Sequence, residues 1–163
     1  MFDKVEKYSR EINNALRNHG VLLVSGKEKP NIMAVSFGAF GLFWSKPVFI
    51  VAVKKSRCTY KLIEESGVFT VNIARRDLQD TAMKIAVVSG HDVDKFNEFH
   101  LHPVRAKNID TYIVGDCNVH MECRVLYKTE ISDDAVSRDI IDFYDGHDYH
   151  TLFYAEILDV YET

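Results

Sequence analysis

A mainly β fold, a β-barrel with helical insertions, is what this sequence predicts, and three observations predict it. Six or seven segments read as strands, either rich in β-branched and aromatic residues or alternating in polarity. They are spaced irregularly, with helical patterns inserted between some of them, which disfavours the regular alternation of a doubly wound fold. Ten Phe, eight Tyr and one Trp supply a large aromatic core within 163 residues, a length that suits one domain, here taken as 1–163.

The elements follow in order. Residues 3–18 place Val5, Tyr8, Ile12, Ala15 and Leu16 at helical spacing, with Asp3 as cap and Asn18-His19-Gly20 as stop. Residues 21–24 (VLLV) read as a buried strand and 26–30 as a polar turn. A second strand is expected over 33–37, after which Gly38, Gly41 and Ser45-Lys46-Pro47 punctuate the chain. The run 48–53 (VFIVAV) is a central strand. Residues 59–66 suit a short helix broken by Gly67, and 68–73 alternates as a strand. Helices are expected over 78–88 and over 92–99, the second with Asp92 as its cap. Residues 118–131 alternate over a length that calls for a bent or bulged strand. Two further strands are expected over 137–144 and 152–161, with turns at Asp133-Asp134 and at Asp145-Gly146-His147-Asp148.

Composition excludes several classes. Hydrophobic residues make up 47% and charged residues 27%, so global disorder is excluded. Lys plus Arg number 20 against 24 Asp plus Glu, a net charge of −4, so no broad footprint for nucleic acid is expected. Three cysteines, Cys58, Cys117 and Cys123, form no C-x-x-C pair and read as free thiols in a reducing compartment. The charged N-terminus lacks an apolar signal segment, and no apolar run approaches the ~20 residues of a membrane helix. The expectation is a soluble cytoplasmic protein. His100-x-His102 and His147-x-x-His150 lie in polar, loop-like surroundings and read as surface histidines rather than metal ligands. No G-x-G-x-x-G, Walker A loop, G-x-S-x-G elbow or H-E-x-x-H is present.

The informative stretch is 31–60, NIMAVSFGAFGLFWSKPVFIVAVKKSRCTY. A strand leads into small residues and glycines, where backbone can approach a flat ligand closely. Phe37, Phe40, Phe43 and Trp44 form an aromatic cluster. Lys54-Lys55-Ser56-Arg57-Cys58-Thr59 then joins a strand to a helix start, supplying cations, hydroxyls and free N–H groups of the kind that hold phosphate. A flat aromatic ligand with a phosphate would use all three. On these features alone the plainer reading is preferred, a core strand pair followed by a solvated basic turn, because each feature is common separately.

Ordered motifs change that balance. The runs Asn31-Ile32-Met33-Ala34-Val35-Ser36-Phe37-Gly38, Trp44-Ser45-Lys46-Pro47 and Lys54-Lys55-Ser56-Arg57-Cys58-Thr59-Tyr60 resemble motifs of the flavin reductase-like, FMN-binding split-barrel family. Phe69-Thr70-Val71-Asn72, the Ser89 to Phe96 segment (SGHDVDKF) and Glu122-Cys123 are similar to its later motifs. Val35 stands where the family more often has Ala. Lys54 and Lys55 replace Arg and Pro, and His91 replaces an Arg, exchanging a fixed charge for one that titrates near neutrality. The acidic segment 132–150 matches no family motif.

The resemblance implies noncovalent FMN, often at a homodimer interface. By motif position, Asn31, Met33, Ala34, Val35 and Ser36 lie along the ring and ribityl chain, and Ser56, Arg57, Thr59 and Tyr60 hold the phosphate or ribityl hydroxyls. Met33 and Val35 read equally well as core, Arg57 as one half of a surface ion pair, and Thr59 as a helix cap. Lys95 is assigned to the flavin site, where a cation stabilises anionic reduced flavin, with a salt bridge to Asp92 or Asp94 as the equal alternative. Trp44 walls the site or fills the core, and His91 is a contact at the mouth or an exposed loop residue. No catalytic side chain and no metal is assigned, because hydride transfer to flavin needs positioning rather than an acid, base or nucleophile. The implied function is an oxidoreductase passing electrons from NAD(P)H through FMN to a flavin or other small acceptor. The alternatives are a non-enzymatic FMN electron carrier and a split barrel that has lost its flavin.

Overall fold

The computed structural model describes residues 1–144 and 148–163. Two helices, α1 (Phe2–Lys7) and α2 (Ser9–Asn18), precede the strands β1 (Val21–Ser25), β2 (Asn31–Val35), β3 (Gly38–Phe43) and β4 (Lys46–Lys54). Helix α3 (Cys58–Ser66), strand β5 (Val68–Ile73) and helices α4 (Gln79–Val87) and α5 (Lys95–Glu98) follow. The remainder is β6 (Pro103–Arg105), β7 (Tyr112–Val114), β8 (Val119–Glu130), α6 (Arg138–Phe143) and β9 (His150–Glu162). Seven strands form one sheet in the order β2-β1-β5-β8-β9-β4-β3, and β6 pairs with β7 separately. Every pairing is antiparallel.

Strand β1 explains its own unbroken apolar run. Val21 and Leu23 point into the barrel core with Phe49, Phe69 and Phe153, whereas Leu22 and Val24 point into a second core with Ile85, Phe96 and Leu101. A strand covered on both faces has no polar face to show. Strand β8 shifts register against β9 at Glu122/Cys123 and again at Val125/Tyr127. Those irregularities bend the long pair and let the sheet coil around its core, as a barrel requires.

The curl brings β2 toward β4. Residues Ser36 and Phe37 carry the chain from β2 into β3, and the Ala52 N–H donates to the Phe37 carbonyl at 3.0 Å. The C-terminal ends of β2 and β4 and the start of α3 thereby meet at one corner of the barrel, beside α4 and α5.

Several expected elements are corrected. The first helix is two, divided at Tyr8, and Met1 rather than Asp3 stands at the cap position. Residues 38–43, read as punctuation, form β3, an edge strand in which all six residues, both glycines included, pair with β4. The strand expected over 137–144 is instead helix α6: Ser137 precedes it in extended conformation and Arg138 pairs with Asp142 at i,i+4. Helix α5 is capped by Asp94, not Asp92, since the Asp94 carboxylate accepts from the N–H groups of Phe96 and Asn97. The short strands β6 and β7 were not anticipated. The turn expected at Asp145 to His147 lies outside the described residues.

Candidate functional site

A cavity of about 370 Å³ opens at the corner where β2, β4, α3 and α4 meet. Its size is within the ~300–1,000 Å³ of small-molecule sites. The cavity is lined by the end of β2, Met33 to Ser36, and by the last turn of α4 with Ser89 and Gly90. Two of the lining residues, Asn31 and Thr59, are buried and polar. The Asn31 amide donates to the Thr59 hydroxyl at 2.7 Å, tying β2 to α3. Gly90 packs against that amide, and a Cβ there would displace the Asn31 side chain, so glycine serves close approach rather than backbone freedom.

The charges on the wall have one sign. Lys54, Arg57 and Lys95 line the cavity, and no carboxylate does among the described residues. Arg57 occupies the cap position of α3 in extended conformation, and no side chain caps the helix. The first N–H groups of α3 are therefore available to an anion. Lys95 is only 5% exposed and donates to the Ile85 carbonyl at 3.2 Å. Burial first, and the Arg57 cation second, hold its pKa down at about 8. Among the described residues, Arg57 has neither an ion pair nor a side-chain hydrogen bond.

His150 completes the rim. Strand pairing sets it opposite Lys54, and its Nδ1 lies 2.7 Å from the Tyr144 hydroxyl. Its pKa is lowered by burial and then by the Lys54 cation, which favours the neutral ring. Phe37 stacks edge-on against it at 5.4 Å.

Nine of the ten residues named by motif line this cavity: Asn31, Met33, Ala34, Val35, Ser36, Ser56, Arg57, Thr59 and Lys95. Tyr60 does not. It is 7% exposed, packs on Phe153 and bonds Glu64. Adjacent helical residues point about 100° apart, so Thr59 faces the cavity and Tyr60 the barrel core. Lys95 makes no ion pair with Asp92 or Asp94. His91 is exposed on its loop. Trp44 neither walls the cavity nor fills the core: it is 57% exposed at the β3–β4 turn. Sequence reasoning missed Ile85, Ala86 and Val88, which look like any apolar helix end, and His150, which looked like a residue of a polar turn.

The other polar groups have structural partners. His102 pairs with Asp116, and no group of three or more His, Cys, Asp or Glu among the described residues is arranged to hold a metal. Cys117 and Cys123 are buried thiols with raised pKa values, Cys117 at about 12. No helix among the described residues is long and apolar enough to cross a membrane.

Comparison with known proteins agrees with this geometry. The family model for a flavin reductase like domain matches residues 16–163. An uncharacterized protein of Archaeoglobus fulgidus is 32% identical over 139 residues, 85% of this chain and 69% of that protein. The flavoredoxin of Desulfovibrio vulgaris (Miyazaki F) superposes with a TM-score of 0.70 at 27% identity, over 88% of this chain and 68% of that one. The flavoredoxin of Methanosarcina acetivorans gives 0.69 at 26%, over 88% and 67%. An NADH:FAD oxidoreductase of Streptomyces globisporus shares the fold, with a TM-score of 0.66 at 18% identity over 89% and 76%.

Proposed function

This chain belongs to the flavin reductase-like family, a family of flavin-binding split barrels, and on that premise we propose that it is an FMN-dependent oxidoreductase. In this reading residues 1–163 form one domain, act as a cytoplasmic homodimer, and pass electrons from NAD(P)H through FMN to a flavin or other small acceptor. The observation that supports it is the cavity itself: nine motif-matched residues face one space whose charged side chains are all cationic.

The residues fit the group. The strand end Met33 to Ser36 offers a flat backbone surface to a ring system. Ser56, Arg57, Lys54 and the uncapped start of α3 supply hydrogen bonds and positive charge for a phosphate. Lys95 adds a third cation to the lining and is only 5% exposed. When bound, FMN supplies the hydride and electron chemistry. The chain's own part is to bind, orient and leave one face accessible to a donor.

The test is a visible titration with FMN followed by anaerobic NADH, then NADPH, in the same cuvette. A saturable, perturbed flavin spectrum that bleaches with either donor supports the reductase. A second reading, a non-enzymatic electron carrier, is favoured by the two flavoredoxins among the similar structures. It predicts saturable binding without bleaching by either donor. Absence of flavin binding would remove both.

A further inference from the structure

One carboxylate already holds two of the groups that this reading assigns to the phosphate. Asp148, just before β9, accepts a hydrogen bond from the Ser56 hydroxyl at 3.2 Å. The same oxygen lies 3.5 Å from the Lys54 ammonium. Lys54 and Ser56 line the cavity, whereas Asp148 does not. The contact is braced nearby: Lys54 also lies over the Tyr144 ring at 5.8 Å, and Tyr144 bonds His150 at the start of the same strand. Two of the groups suited to hold an anion are thus already engaged by an internal one. Arg57, the third, is not.

We propose that Asp148 sets how strongly this cavity discriminates between ligands with a charged end and ligands without one; the proposal rests on the flavin reading above. The carboxylate carries one charge and is half exposed, so its hold on Lys54 and Ser56 is weak. A phosphate carries nearly two charges and three acceptor oxygens. It can take the Ser56 hydroxyl, Lys54, Arg57 and the α3 N–H groups together, and so displaces Asp148. An uncharged hydroxyl end gains too little to do so. Where Asp148 stays, its charge opposes the phosphate. In both cases the cost falls on the charged ligand alone, and Asp148 is a specificity-determining residue, not a catalytic one.

The experiment compares wild type and Asp148→Asn by calorimetric titration with FMN and with riboflavin at low salt. Asn keeps an oxygen for Ser56 and removes only the charge. The expected result is a Kd for FMN lowered about two- to fivefold, an unchanged Kd for riboflavin, and a gain that shrinks at high salt. An equal change for both flavins, no change, or weaker FMN binding overturns the proposal, the last showing that Asp148 positions the site instead. Pyrophosphate is titrated in parallel against both proteins, read by thermal unfolding. If neither flavin binds either protein, the flavin reading falls. The charge competition is then judged on pyrophosphate: a larger shift in Tm for Asp148→Asn sustains it, and equal shifts overturn it.

Discussion

Lys95 illustrates what lining a cavity costs a single residue. Its ammonium is buried with one backbone acceptor and has Arg57 as a neighbouring cation. The folded pKa of about 8 lies below the ordinary 10.5, so between those values the unfolded chain binds more protons and stability rises with pH. At pH 7 the charged form therefore costs the fold up to about 3 kcal/mol. Lys95→Met is expected to raise the urea midpoint of the ligand-free protein at pH 7, to lose that advantage as pH approaches 10.5, and to weaken FMN binding. A variant less stable than wild type at pH 7 would show that the ammonium supports the fold. Gly90 makes a complementary case. Gly90→Ala forces the Asn31 amide off Thr59 and is expected to weaken FMN binding severalfold with an unchanged far-ultraviolet circular dichroism spectrum. The need for glycine at 90 was visible in the sequence only as a motif position; its cause, the approach of β2, lies 59 residues away in the chain. Likewise Thr59 and Tyr60 look alike in a linear motif and separate only when helical rotation assigns each a direction.

Among the elements, those with strong internal pattern were legible, and those defined by a neighbour were not. Strand β5 was placed to the residue, and β4, β8 and β9 to within two, because their periodicity reflects a face buried by the sheet. Strand β3 pairs only with β4, and α6 carries an i,i+4 ion pair between Arg138 and Asp142 that an alternating reading does not register. The polar centre joining β1, β5, β7 and β8 was equally hidden. The Asn72 amide donates to the Leu22 carbonyl, while its oxygen accepts from the Val114 N–H and lies 2.8 Å from His120 Nδ1. His120 is fully buried, and burial holds its pKa at about 4. That value lies below the ordinary 6.5, so between them the unfolded chain binds the extra proton. The stability from keeping this ring neutral is complete above 6.5 and is lost as pH falls toward 4, by up to about 3 kcal/mol. The urea midpoint is expected to fall across that window more steeply in wild type than in His120→Gln. Equal slopes would show that the carboxylates alone govern acid unfolding.

For the whole molecule, the open question posed by the fold is what covers its last strand. Strand β3 ends the sheet and pairs on one side only. Its residues, GAFGLF, carry no charge, and Leu42 is 63% exposed. Exposed uncharged edges of this kind invite pairing with another chain, and proteins that stay separate guard them with charge or bulges. Beside the edge, Trp44 contacts the rings of Phe43, Tyr127 and Tyr154. Trp44 and Ser45 both hold positive φ, 51° and 56°, the two-residue hairpin turn that usually takes Asn or Gly. Left-handed backbone costs about 1–2 kcal/mol for each of these residues, and the turn leaves the indole exposed to water. A second copy of the chain, as the proposed homodimer supplies, would cover both the edge and the rings. Because Trp44 is the single tryptophan, its fluorescence reports on this surface directly. Wild type is expected to sediment as a dimer, with emission moving to longer wavelength on dilution as the indole returns to water. Leu42→Lys, which places a guarding charge on the edge, is expected to sediment as a monomer with the red-shifted emission at every concentration. A wild-type dimer whose emission ignores dilution and whose mass survives Leu42→Lys would place the interface elsewhere, whereas a monomeric wild type would withdraw the homodimer.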